Sequence, residues 1–194
     1  MSLVPTFRPR IQMLSQEMID RIIDEAFEVL SVIGLQFEHP KALAILGEHG
    51  QRIDKAAARA WLSRDFVEKA IRSAPKSFKI WNVSGDASIE VGGDNVTYDP
   101  GSAAIKMLDP DGTVRPSTSS DYIRLARLVQ QLPHIRASST ALVPSDVPIE
   151  VSDFYRLYLA VQNCDKPVVT GLFREESFPA MLEILSVIRG SAKE

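Results

Sequence analysis

The hydrophobic positions of this chain change rhythm twice. From Ser15 to about Ser73 they recur every three or four residues, with Ile19, Ile22, Ile23, Ala26, Leu30 and Ile33 on one face of a helix that Ser15 is placed to cap. Gly34 fits the position just past that helix, where a left-handed residue ends it. Pro40 suits the first turn of a second helix over 40–48, closed by Gly50. A third opens at Ser63, carries Phe66, Val67, Ala70 and Ile71 on one face, and stops at Pro75. The stretch 1–76 is therefore expected to be an N-terminal helical segment whose apolar faces need something to pack on.

Between 77 and 116 the period moves toward two. Phe78 and Ile80, then Ile89 and Val91, alternate with polar residues as in half-buried strands. Gly92-Gly93 and Asp109-Pro110-Asp111-Gly112 are turn signals, which predicts β-hairpins over 88–99 and 105–115. A strand near 96–99 is expected to open a parallel series.

From 117 to 194 strand and helix patterns alternate. Thr118-Ser-Ser-Asp121 reads as a capping box before a helix bearing Ile123, Ala126, Val129 and Leu132, stopped by Pro133. A β-rich run follows over 135–143. Pro148 and Ser152 open a helix with Phe154, Leu157, Tyr158 and Val161 inward. The run 166–173 reads as a buried strand, and Ser177 caps a final helix with Met181, Leu182, Leu185 and Ile188 on one face. Strand starts near 135 and 168 are about one βαβ unit apart, the spacing of a parallel sheet.

Three parallel strands leave open edges, and a parallel sheet is normally covered on both faces. A (β/α)8 barrel removes the edges but takes about 250 residues, and the whole chain has 194. The expected fold class is thus α/β: a helical segment and hairpins, then the first three βα units of a TIM-type barrel, incomplete in this chain. The alternative is a compact three-layer domain whose sheet edges the hairpins protect.

Composition narrows the class without naming a reaction. Hydrophobic residues make up 45%, charged residues 24%, and the formal net charge is −3, which gives no basic footprint for nucleic acid or anionic lipid. No apolar run approaches the roughly 20 residues of a membrane-spanning helix, and the N-terminus lacks the apolar core of a secretory signal. The single cysteine, Cys164, allows no internal disulfide; a cytoplasmic protein is expected, with no membrane and no nucleic acid among its partners.

The order of several segments resembles the N-terminal part of the trimethylamine/glycine betaine corrinoid methyltransferase family. Those segments are Arg8-Pro-Arg-Ile-Gln-Met-Leu-Ser15, Val32-Ile-Gly-Leu35, Ala74-Pro-Lys-Ser-Phe78, Gly92-Gly-Asp-Asn95, Tyr98-Asp-Pro-Gly101, Val143-Pro-Ser-Asp-Val-Pro148 and Lys166-Pro-Val-Val-Thr-Gly171. None is a catalytic fingerprint alone. The resemblance implies a barrel enzyme, longer than this chain, that moves a methyl group from a methylated amine to the Co(I) of a corrinoid. That cobalamin is carried by a cognate corrinoid protein, so no cofactor is expected on this chain. A homo-oligomer is expected, and the fragment is expected to be inactive alone. Trimethylamine-using relatives carry an encoded pyrrolysine in the later half of the barrel, outside these segments. The competing readings are a non-catalytic binding or scaffold domain of the same descent and an unrelated small α/β enzyme.

Barrel sites lie at the C-terminal ends of strands, which selects Tyr98, Asp99 and Ser102 after the first strand, Ser139 and Thr140 on the second, and Thr170 with Gly171 on the third. Tyr98 and Asp99 could meet a cationic amine with an aromatic face and a carboxylate, or could simply form an Asp-Pro-Gly turn. Thr170 could donate to a substrate or be satisfied by backbone. No catalytic residue is named by the sequence. His39, His49 and His134 lack metal-ligand spacing, Cys164 reads as a packed thiol, Trp61 and Trp81 as core filling, and Gly92-Gly93 lacks the setting of a phosphate loop.

Overall fold

A computed structural model describes residues 11–190, which fall in two compact units, Met1–Pro75 and Lys76–Glu194. Residues 8–10 of the Arg8-Pro-Arg motif lie outside the described residues.

In the first unit, the Ser15 hydroxyl accepts from Met18 N and starts helix α1, Gln16–Glu28. The helix widens into a π turn, Val29–Ile33, and ends at Gly34 with φ 74°, whose N–H reaches back to Val29 O at 2.9 Å. A Cβ at Gly34 would lie 2.6 Å from the Ala60 carbonyl oxygen, so both the backbone twist and the close approach require glycine. After β1 (Leu35–Gln36) come α2 (Pro40–Glu48), β2 (Arg52–Asp54), β3 (Arg59–Trp61) and α3 (Arg64–Ser73), the last capped by the Ser63 hydroxyl.

The three expected helices are present, and between them runs a three-stranded antiparallel sheet of order β1-β3-β2 that the helical reading did not include. Strands of two or three residues are too short to display a period of two, and the flanking helices dominate the pattern. The Asp54 carboxylate accepts from Ala56 N and Ala57 N, closing the β2–β3 turn. Trp61 donates Nε1–H to Val32 O, and the Arg52 guanidinium sits 3.7 Å above its ring.

The second unit opens with a hairpin of β4 (Ser77–Trp81) and β5 (Ser88–Gly92), pairing Phe78 with Val91 and Ile80 with Ile89. The hairpin expected over 88–99 is therefore displaced upstream. The Asn82 side chain turns the chain by accepting from Ala87 N and donating to Asp86, a turn signal weaker to the eye than the glycine pair. The Asp-Pro-Asp-Gly turn stands as expected between β6 (Lys106–Leu108) and β7 (Val114–Pro116).

Helix α4 (Ser119–Gln131) begins with the expected capping box of Thr118 and Asp121. It is followed by β8 (Ser138–Ser139), α5 (Ser152–Asn163), β9 (Val168–Val169) and α6 (Phe178–Arg189). β8 and β9 pair in parallel. Single parallel bridges, Tyr98 to Ile135 and Ala104 to Leu142, lay the segment 98–104 along the other side of 135–142. Three parallel segments thus run side by side with 135–142 in the middle. The regular strands are much shorter than the runs 135–143 and 166–173 predict, and the described residues form no closed barrel. An α/β architecture stands.

Helices α4 and α5 bury Tyr122, Ala126, Val129, Leu159, Ala160 and Cys164 around Leu142, with Ile135 and Val168 packed alongside. Two helix faces differ from expectation. α5 buries Asp153, Arg156, Leu157 and Ala160, whereas Tyr158, expected inward, is 47% exposed. α6 buries Met181 but leaves Leu182 and Leu185 exposed, and the Ser177 side chain makes no capping bond.

Candidate functional site

The parallel segments fix which candidate residues are neighbours. Ala137 N donates to Tyr98 O near the start of the segments, while Ala103 N and Ala104 N donate to Thr140 O and Ala141 O toward their C-terminal ends. On the other side, Ser138 N donates to Pro167 O and Thr140 N to Val169 O. Tyr98 is therefore level with Ile135, and five residues of extended chain, roughly 16 Å, separate that level from Thr140.

At the C-terminal ends the structure brings Ser139, Thr140 and Thr170 together. The Thr140 and Thr170 hydroxyls are 3.2 Å apart, and the buried Ser139 hydroxyl donates to Gly101 O. Ser102 lies next to that carbonyl and is exposed. Ala103 follows with φ 61°, a left-handed backbone at a residue other than glycine, which costs on the order of 1–2 kcal/mol and is held by its bond to Thr140 O.

Tyr98 and Asp99 stand apart from this group. The Tyr98 ring is 66% exposed. The Asp99 carboxylate accepts from Gly101 N at 2.7 Å, which makes the Asp-Pro-Gly turn a physical fact whatever else the side chain does. Asp99 also lines a cleft of about 300 Å³ walled by Ile80, Ile89 and Val91 of the hairpin and by Ala137 and Val169 of the parallel segments.

Beneath the strand ends lies a pair that the sequence reading missed. Asp153 and Arg156, each 2% exposed, form an ion pair with Arg156 Nη2 2.9 Å from Asp153 Oδ1. Arg156 also donates to Thr140 O and to Gly171 O, and its guanidinium stacks 4.6 Å from the centre of the Phe173 ring. The other oxygen of Asp153 accepts from Phe173 N and Arg174 N. The available signal was Ser152-Asp-Phe-Tyr-Arg156, opposite charges three apart on the face that also carries Leu157 and Ala160.

Adjacent groups hold the scaffold. The Tyr122 hydroxyl donates to Ser139 O, and burial pushes its phenol well above the ordinary range. Asp121 accepts from Arg115, Thr118 and Arg124. The Arg115 hydrogen bond, foremost, holds its carboxyl far below the usual carboxylate range, against the opposing effect of burial. At the opposite ends of the segments, burial raises the Asp165 carboxyl, but hydrogen bonds from the Ser84 side chain and backbone and from Asn82 outweigh it and leave it lowered. Lys166 Nζ donates to the carbonyls of Val129, Leu132 and Ile135, closing the end of α4.

The remaining sequence candidates resolve simply. His39 caps α2 through Nδ1, and His49 lies 6.1 Å from the Phe66 ring. No group of three His, Cys, Asp or Glu among the described residues could hold a metal ion. Cys164 is buried and donates to Gln130 Oε1. Trp81 is half exposed at the end of β4. No helix among the described residues is long and apolar enough to cross a membrane.

Comparison with known proteins adds what geometry alone does not. Residues 2–194 match the family described as Trimethylamine methyltransferase (MTTB). The chain is 28% identical over 183 residues to a glycine betaine methyltransferase of Desulfitobacterium hafniense (strain Y51), covering 94% of this chain and 38% of that protein. It is 25% identical over 177 residues to the trimethylamine methyltransferase MttB of Desulfitobacterium hafniense (strain DSM 10664 / DCB-2), covering 91% and 36%. It is 22% identical over 134 residues to an L-carnitine:corrinoid methyltransferase of Eubacterium limosum, covering 69% and 26%. The chain spans well under half the length of the curated relatives it matches.

Proposed function

Because the chain belongs to the trimethylamine methyltransferase family, we propose that it is part of an enzyme moving a methyl group from a trimethylated amine, such as glycine betaine or trimethylamine, to the Co(I) of a corrinoid held by a separate protein. One observation carries this reading. The relatives are named for glycine betaine, trimethylamine and L-carnitine, three compounds that share a nitrogen bearing three methyl groups.

The chemistry asks for placement more than for an activated side chain. A C–N bond breaks with its electron pair left on nitrogen, and the cobalt electron pair forms the new bond to carbon; a quaternary amine leaves as a neutral tertiary amine, and trimethylamine, once protonated, leaves as dimethylamine. The corrinoid is a second substrate brought by its own protein, and this chain's part is to hold the amine and aim one methyl, where proximity supplies much of the rate. A permanent cation favours aromatic faces and carboxylates, which Tyr98 and Asp99 offer at one level of the segments. At the other level, too far away for one small amine to meet both sets, the exposed hydroxyls of Ser102 and Thr170, backed by the buried Ser139 and Thr140, suit a carboxylate or hydroxyl on the amine, and this C-terminal level is the one proposed to receive it. The parallel segments fit the opening of an eight-stranded barrel, with the complete protein a cytoplasmic homo-oligomer and the 194-residue piece inactive alone.

The test is methyl transfer by the complete gene product, followed by the visible spectrum of a Co(I) corrinoid offered glycine betaine, trimethylamine and carnitine in turn. Conversion with at least one amine is expected; none with all three would overturn the reading. The 194-residue chain should give no conversion under the same conditions.

A further inference from the structure

We propose that Asp153 and Arg156 are positioning residues that set the C-terminal ends of the parallel segments against one another, so that the buried Thr140 holds the exposed Thr170 hydroxyl in one fixed geometry toward the amine. The assignment of the Thr170 hydroxyl to substrate rests on the function proposed above; the positioning itself does not.

The argument begins with what a helix face needs for packing. Leu157 and Ala160 on α5 are buried beside Asp153 and Arg156, and apolar residues at 153 and 156 would serve burial equally well. Replacing a buried ion pair by apolar side chains of similar volume is often neutral or stabilising, because both charges must be stripped of water. The pair is therefore poorly explained as a source of stability. Its hydrogen bonds explain it better, since every one outside the pair lands on backbone in the segments that follow β8 and β9: Thr140 O, Gly171 O, Phe173 N and Arg174 N.

These contacts converge on the candidate hydroxyls. Thr140 O takes both the Arg156 bond and the bond from Ala103 N, so Arg156 and the left-handed turn at Ala103 are anchored to one carbonyl. Thr140 Oγ1 then meets Thr170 Oγ1 at 3.2 Å, and Gly171, the next residue, is held by the same guanidinium. Arginine's planar fork spans two carbonyls and a carboxylate together, which a lysine cannot do. The Phe173 ring stacked on the guanidinium fixes the plane of the fork.

The experiment uses Arg156→Lys and the milder Asp153→Asn in the complete gene product. Backbone hydrogen exchange is read over 99–104 and 170–175, with 119–131 as the internal reference, alongside kcat and KM for the amine that the native protein uses best. Expected is exchange at least about tenfold faster at 103–104 and 173–174 with the α4 reference unchanged, and kcat/KM lowered by roughly tenfold or more, since sub-ångström misplacement is costly to an oriented reaction. Exchange accelerated equally everywhere, kcat/KM unchanged despite folded protein, or failure of both variants to fold would each overturn the proposal in favour of a stabilising role. Local exchange changes in a protein whose native form transfers no methyl group would leave the positioning standing and sink the functional reading instead.

Discussion

The two units treat their apolar faces in opposite ways, the first leaving them largely exposed and the second burying them. In the first, Leu43 and Ala60 are the hydrophobic residues buried among those described, while Ile22 is 50% exposed and Ile33 and Ile71 are more exposed still. The ion pairs among its described residues, Arg21 with Glu25, Arg64 with Asp24 and Glu68, and Arg72 with Glu68, sit at the surface, where such pairs contribute little. The second unit closes a continuous core around α4 and α5 and then buries polar groups within it, Asp121, Asp153 and Arg156 among them. The lesson is that caps and close backbone contacts hold the first unit, whereas the second depends on side-chain packing and on charges satisfied inside it.

The sharpest way to break that contrast is to make the same kind of truncation in each. Leu157→Ala should destabilise the second unit by about 3 kcal/mol, as for other fully buried leucines, whereas Ile22→Ala in the first should change stability by less than about 0.5 kcal/mol. Urea unfolding followed by tryptophan fluorescence and circular dichroism reads both. Equal effects would erase the distinction.

Next in size is Asp121. Its folded-state carboxyl lies below the value of about 4 that an unfolded aspartate has. The stability it contributes is therefore present above about pH 4 and lost as pH falls from there through the folded-state value. Asp121→Asn should cost about 2 kcal/mol at neutral pH and should flatten the loss of stability between about pH 4 and pH 2. An acid limb identical to the native one would show that other carboxylates govern it.

Gly34→Ala tests the backbone side of the comparison. The left-handed φ and the 2.6 Å approach to Ala60 O predict a loss of about 1–2 kcal/mol, felt in the first unit and seen as faster proteolysis before residue 75 with the second unit's cleavage unchanged. Smallest is Ser63→Ala, which removes the hydroxyl that caps α3 and should cost about 1 kcal/mol, measured by thermal unfolding.

What was legible in the sequence follows the range of the forces involved. Ser15, Pro40, Ser63 and the Thr118/Asp121 box mark helix starts because capping acts within three or four residues, and the Asp109–Gly112 turn was legible for the same reason. The sheet of the first unit was not, since each strand is set by partners up to 25 residues away, as Leu35 is by Ala60. The hairpin of β4 and β5 was misplaced because the side chain of Asn82, and not the glycine pair, makes its turn. Among the candidate residues, the strand-end rule led to Ser139, Thr140 and Thr170, which are neighbours. It passed over Asp153 and Arg156, because a charged pair on a helix reads as solvated until the sheet behind it is known.

Cys164 turns the contrast between the units into something a bench can time. It is the only thiol in the chain, it lies in the second unit's core, and its hydrogen is given to Gln130. A thiol reagent can reach it only when the packing around the C-terminal end of α5 opens. The pace of labelling at a single sulfur therefore counts openings of that core.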